Sequence, residues 1–162
     1  MIYGLDLVIL LLAIGAALAA HGERHRWPVP RGRLLLPGVL AIFGTAILLS
    51  YPDIRDAVAP ALWVIPAVGL AIGGMRGGLM EIDATPSGLV RLHHGADGAW
   101  ASWAMALCAG IQGSIETGLS TGNPYEATAE LLMLLCSGYL LGRSLIAWTR
   151  ARSGTHVDLQ EE

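Results

Sequence analysis

Apolar and polar positions divide this chain into five long apolar runs, near residues 3–20, 34–50, 57–75, 99–119 and 127–149, joined by short polar connectors. Runs such as Leu7–Ala20 and Leu34–Leu49 lack the polar stripe that a helix on the surface of a soluble bundle carries. About 20 apolar residues in a helix are needed to cross ~30 Å of hydrocarbon. The pattern therefore predicts an all-α polytopic membrane protein, a single five-helix transmembrane domain over residues 1–152, with residues 153–162 as a flexible acidic tail.

One stretch breaks the helical pattern. After Gly78, Met80-Glu81-Ile82-Asp83-Ala84 alternates apolar and polar, and so does Leu89-Val90-Arg91-Leu92-His93. Thr85-Pro86-Ser87-Gly88 between them has turn chemistry. Period-two alternation around such a turn predicts a short β-hairpin over residues 79–94, between the third and fourth helices. Two strands alone are marginal in water, so the hairpin needs support from the helix ends or a partner.

Charge then sets orientation. All ten basic residues are arginines, and the first, third and last polar segments hold nine of them. The second connector holds only Arg55, against Asp53 and Asp56, and the fourth holds none. By the positive-inside rule the N-terminus faces out and the C-terminus and hairpin face the cytoplasm of a bacterial inner membrane. The run before Ala17-Leu18-Ala19 has the look of a signal sequence, but only Asp6 precedes it and the arginines follow. An uncleaved first helix is expected. Trp27, Trp100 and Trp148 fall near the expected cytoplasmic interface, where indole rings anchor.

Composition narrows the function classes. The chain is 54% hydrophobic and 14% charged, with net charge −3. Arg24, Arg26, Arg31 and Arg33 form a basic patch without an aromatic stacking surface, which argues against nucleic acid and for an orientation signal or lipid head-group contact. No nucleophile elbow, phosphate-binding glycine loop or metal-ligand cluster of good spacing is present. His93 and His94 are adjacent, so on a strand they point to opposite faces and make a poor shared site with Glu81, Asp83 or Asp97. No cofactor is identified.

Charges within membrane runs are costly and mark candidate sites. Gln112, Glu116 and Glu130 are the residues that would line an outward polar pocket, and Arg143 lies about two turns inside the last run. Cys108 and Cys136 sit singly in the middle of the fourth and fifth runs, more as small apolar residues than as a redox pair. Gly69, Gly73, Gly74, Gly77 and Gly78 give small-xxx-small spacings at 69/73, 73/77 and 74/78, a seam for packing within the bundle or for self-association of the third helix. Pro66 is expected to kink that helix.

The glycine-rich end Gly69 to Gly78, the Met80-Glu81-Ile82-Asp83 strand, the Pro-Ser-Gly turn and Leu89-Val90-Arg91, followed by a new helix from Trp100 and a last helix ending in arginines, resemble the CcdC-like family of small bacterial integral membrane proteins. The resemblance covers about half of the chain and implies the fold. It brings an association with cytochrome c biogenesis, but no catalytic residue and no haem-attachment motif. Taken together, these features predict a non-enzymatic membrane protein acting as an assembly or accessory factor through protein contacts. A small dimeric transporter or channel using Glu116 and Glu130 is the second expectation, and a thiol oxidoreductase using Cys108 and Cys136 the third.

Overall fold

A computed structural model describes residues 2–24, 28–50, 61–84, 88–92, 96–114 and 125–153. These residues form five α-helices and a small sheet. Helix α1 spans Ile2–Arg24, α2 Leu36–Leu48, α3 Val64–Leu79, α4 Ala96–Ser114 and α5 Tyr125–Ser153. Strands β1 (Val29–Pro30), β2 (Ile82–Ala84) and β3 (Leu89–Leu92) complete the fold, with a 3₁₀ turn at Arg31–Leu35 leading into α2.

Helices α1, α2, α5 and α4 contact one another in a closed ring, so they make a four-helix bundle. Its core is small-residue and sulfur-rich: Ile9, Ala13, Ala41, Met105, Cys108, Met133, Cys136 and Leu140 are all buried in one cluster. Helix α3 lies outside this ring and packs chiefly on α5, the most extensive pairing in the molecule. Glycine makes it possible. A Cβ on Gly69, Gly73 or Gly77 would strike the α5 backbone at Leu135, Tyr139 and Arg143, and one on Gly138 or Gly142 would strike α3 at Pro66 and Leu70. Two backbones thus lie in direct contact.

The expected glycine seam therefore divides. Gly69, Gly73 and Gly77 are covered within the chain, whereas a Cβ on Gly74 would meet only Ile146, at 3.7 Å, and one on Gly78 would meet nothing within 4 Å. Self-association through α3 is left the outer face, where Val64, Val68, Ile72, Met75 and Leu79 are exposed. Pro66 does not interrupt the ladder. It stands in the first turn of α3, where only its own donor is missing, and the bonds Ile65 N to Ala61 O and Ala67 N to Trp63 O continue on either side of it.

The expected hairpin forms and gains a third strand. The order is β1-β3-β2, antiparallel throughout, with Asp83 opposite Arg91 and Val29 opposite Val90. Gly88 takes φ +81° at the turn, a left-handed conformation glycine adopts without strain. Strand β1 escaped the sequence reading because Pro30 cannot donate to a ladder. It serves here as an edge strand, where one missing donor is tolerated. Beneath the sheet, Val29, Leu34, Met80, Val90 and Leu92 pack with Ala151 at the end of α5. This second core supplies the support that two strands lack. The alternation along β3, with Val90 and Leu92 inward and Leu89 and Arg91 outward, is the one read from sequence.

Among the described residues, two segments are long and apolar enough to cross a membrane, Arg31–Leu48 and Thr128–Ser153. Shorter apolar helices cover Leu7–His21 and Val64–Leu79.

Candidate polar site at the capped end of the bundle

Helix α4 begins three residues before the expected run, and its first turn carries Asp97. Helix α5 runs antiparallel and carries Tyr139 and Arg143 four residues apart, hence on one face. Helix α3 brings Arg76 in its last turn. The three helices converge on the Asp97 carboxylate. Its Oδ2 accepts hydrogen bonds from Tyr139 Oη at 2.7 Å and Arg76 Nε at 3.0 Å, and its Oδ1 lies 3.5 Å from Arg143 Nε. The side chain of Arg143 is 1% exposed, against 20% for Asp97 and 46% for Arg76, so the pair with Arg143 is inside and the pair with Arg76 is at the rim.

Gly98 completes the nest. A Cβ there would come within 2.7 Å of Cζ and Nη1 of Arg143, so the guanidinium occupies the space that a side chain would take. Burial pushes the Asp97 carboxyl up. The adjacent Arg143 charge and the hydrogen bonds from Tyr139 and Arg76 pull harder, and the balance holds it below its ordinary 3.8. Two guanidiniums and one carboxylate leave the cluster at net +1. Near it, Arg150 Nη1 donates to the carbonyls of Gly77, Gly78 and Met80 at 3.1, 2.7 and 2.6 Å, tying the C-terminus of α3 to α5.

A second polar pair sits at the other end of the same seam. Gln112 Nε2 donates to Glu130 Oε1 at 3.3 Å, and both residues are buried, at 7% and 3% exposure. Along α4 it lies 15 residues from Asp97, about 22 Å at the helical rise. Of the expected pocket residues, the structure joins Gln112 and Glu130, and it separates Arg143 from them. The physical reason is the antiparallel register: residue 143 comes back to the start of α4. Glu116, His93 and His94 lie outside the described residues.

A cavity of about 210 Å³ opens beside the cluster, lined by Gly69, Ile72, Asp97, Ala101, Leu135, Cys136 and Tyr139. A larger apolar groove of about 400 Å³ lies on the other flank of α3, between α2 and α5. The seryl hydroxyls of the seam are committed to backbone carbonyls: Ser102 Oγ donates to Gly98 O and Ser137 Oγ to Leu134 O. Neither forms a nucleophile–base pair. The sequence reading missed Asp97 as a hub and did not single out Tyr139. The signal available was the Tyr139/Arg143 spacing, which puts a phenol and a guanidinium on one face of an apolar helix.

No protein-family model, no characterised protein and no solved structure matches this chain.

Proposed function

We propose that the chain is a non-enzymatic, multi-span protein of a bacterial inner membrane, an assembly or accessory factor that acts through its sheet-capped end. One observation carries the membrane reading: the molecule is inverted relative to a soluble bundle. Leu7, Leu11, Phe43, Val64, Ile72, Met75, Trp100 and Leu107 are exposed, whereas Gln112, Glu130 and Arg143 are buried. In water so much exposed apolar surface is an aggregation liability, and in lipid it is the correct exterior. The capped end gathers the C-termini of α1, α3 and α5, the sheet, and Arg31, Arg33, Arg76, Arg91, Arg150 and Arg152. That distribution supports five spans with the N-terminus outside and the cap in the cytoplasm. The charged side chains inside are partnered, Arg143 by Asp97 and Glu130 by the amide of Gln112, which suits a rigid interaction body better than a reaction centre.

The test is vectorial labelling. In Cys108→Ser/Cys136→Ser background, a cysteine placed at Ser50 should react with a membrane-impermeant maleimide on intact cells, and one at Ser153 only after permeabilisation. The reverse pattern overturns the orientation, and recovery of the chain in a carbonate-soluble fraction overturns the membrane reading. The accessory role predicts a partner captured by the native chain and lost on Asp83→Arg with Arg91→Asp, which recharges the exposed face of the cap.

The buried Gln112–Glu130 pair favours a second reading, a small transporter or channel. It predicts that Glu130→Gln alters ion or solute flux in liposomes. Unchanged flux of every solute tested counts against it.

A further inference from the structure

Helices α3 and α4 both lie along α5 and scarcely touch each other, so a crevice runs between them with α5 as its floor. The cavity of about 210 Å³ occupies this crevice. Gly69 and Ile72 of α3 form one wall, Asp97 and Ala101 of α4 the other, and Leu135 and Tyr139 of α5 the floor. At the capped end one bond bridges the two walls, from Arg76 Nε on α3 to Asp97 Oδ2 on α4 at 3.0 Å. Gly69, Ile72 and Arg76 follow one another at i, i+3 and i+7, so Arg76 stands on the same face of α3 as the wall, about 10 Å from Gly69 along the axis. The crevice therefore has a charged head and an apolar body. Ile72 is 51% exposed, which leaves the body open at its side.

The head is positive and its acceptors are used up. Oδ2 of Asp97 already accepts from Tyr139 and Arg76, and Oδ1 faces Arg143. That arrangement offers nothing to a cation. The Arg143 side chain is 1% exposed and that of Arg76 46%, so the surplus charge of the cluster is presented by Arg76. Among the described residues only the Nε of Arg76 is engaged, and its Nη donors have no partner. Exposed Trp100 stands three residues after Asp97 on α4, an indole where such rings settle between head groups and chains.

An apolar slot that ends at an open guanidinium matches a molecule with an anionic head and a hydrocarbon tail. A small anion would leave the slot empty, and an uncharged chain would leave the donors unused. We infer that the crevice between α3 and α4 binds one anionic phospholipid, its phosphate on the Nη groups of Arg76 and one acyl chain along Gly69, Ile72, Ala101 and Leu135. The guanidinium fork matches phosphate oxygens in charge and geometry. A chain in the slot recovers dispersion contacts that an empty slot forfeits. The inference rests on the membrane reading, but not on the orientation or on the accessory role. It does not draw on the basic patch of the first connector, because the slot exists only where three helices meet.

The experiment is native mass spectrometry of the purified full chain, delipidated in mild detergent and titrated with palmitoyl-oleoyl phosphatidylglycerol or with zwitterionic phosphatidylethanolamine of the same chains. One equivalent of phosphatidylglycerol is expected, bound about fivefold more tightly than phosphatidylethanolamine, the gain from one arginine facing an anionic lipid. Arg76→Gln should abolish that preference and Arg76→Lys should keep most of it. Arg91→Gln removes an exposed charge from the same end and should leave the preference in place. Ala101→Leu fills the slot and should weaken phosphatidylglycerol binding with Arg76 untouched. Equal affinity for the two lipids overturns the inference. So does an equal loss in Arg76→Gln and Arg91→Gln, which reads as diffuse attraction, and so does displacement of the lipid by inorganic phosphate, which reads as a free-anion site. Undiminished binding in Ala101→Leu takes the acyl chain out of the crevice and overturns it as well. Thermal unfolding of each variant separates loss of the site from loss of the fold, and Ala101→Leu carries the test if Arg76→Gln does not fold. A carbonate-soluble chain fails the membrane reading, whereas an embedded chain without lipid preference fails this inference alone.

Discussion

Replacing Gly73 with alanine tests the architecture most directly, because it adds one methyl group where two helix backbones touch. The new Cβ would stand 2.8 Å from the Tyr139 carbonyl carbon and 2.9 Å from its Cα, with the carbonyl oxygen nearer still. These atoms belong to the interior of α5 and cannot swing aside as a side chain end would, so α3 must move off. Moving it weakens dispersion along the whole seam and stretches the 3.0 Å Arg76–Asp97 contact. Overpacking of this kind costs about 1–3 kcal/mol. Alanine also returns up to about 1 kcal/mol of helix propensity, which would mask part of the effect. Gly110→Ala isolates it. Gly110 is interior to α4, and a Cβ there meets nothing within 4 Å, so that variant receives only the propensity gain. The difference between the two variants is then the steric contribution, about 1–3 kcal/mol. Reversible unfolding by SDS in mixed micelles, followed by circular dichroism, reads it. Two variants that shift stability by the same amount and sign would refute the contact between α3 and α5.

Asp97→Asn leaves Arg143 buried with its countercharge removed and should cost about 3 kcal/mol, the lower end for breaking a buried pair, because Asp97 is 20% exposed. Arg143→Met should recover part of that loss in the double variant, and strictly additive effects would show that the two side chains do not interact. Because the folded-state carboxyl of Asp97 is held below 3.8, its contribution is fully present above that pH and is lost as pH falls through the lowered folded value. The stability gap between native chain and Asp97→Asn should therefore be constant from neutral pH to about 5 and close under stronger acid; a gap that instead closes between pH 6 and 8 assigns it to another group. Arg150→Gln removes the donor shared by Gly77, Gly78 and Met80 and should cost about 1 kcal/mol, seen as faster amide exchange in β2 and β3.

Much of this fold is legible along the chain because hydrophobic period and turn chemistry are local properties. The runs that became α1, α2, α4 and α5 begin or end within a few residues of where composition changes. Alternation over residues 80–93 marked β2 and β3 for the same reason. What escaped is what depends on a distant partner. Val29 and Pro30 carry no strand signal of their own, and β1 exists because β3 offers them an edge. Helix α3 starts at Val64, several residues after the expected start near 57. Its glycine spacing was readable, but its partner was not, although Gly138 and Gly142 repeat the same spacing on α5.

The candidate site shows the same division more sharply. A buried charge is visible in sequence as a cost, and Arg143 and Glu130 were flagged on that ground. What offsets the cost is visible only once the register between α4 and α5 is known. That register sends Arg143 to Asp97 and Glu130 to Gln112, so of the residues that the linear reading offered for one pocket, Arg143 goes to one end of the seam and Gln112 with Glu130 to the other. The region between the pairs is left without charge, and the small-residue and sulfur-rich core fills it. Polar pairs fix the register, and the register selects which core side chains face each other. Shifting one helix by a turn, about 5.4 Å, would dismantle both polar pairs together. Disrupting either polar pair should therefore loosen the register between α4 and α5, and faster amide exchange along both helices in Asp97→Asn is the measurement that checks it.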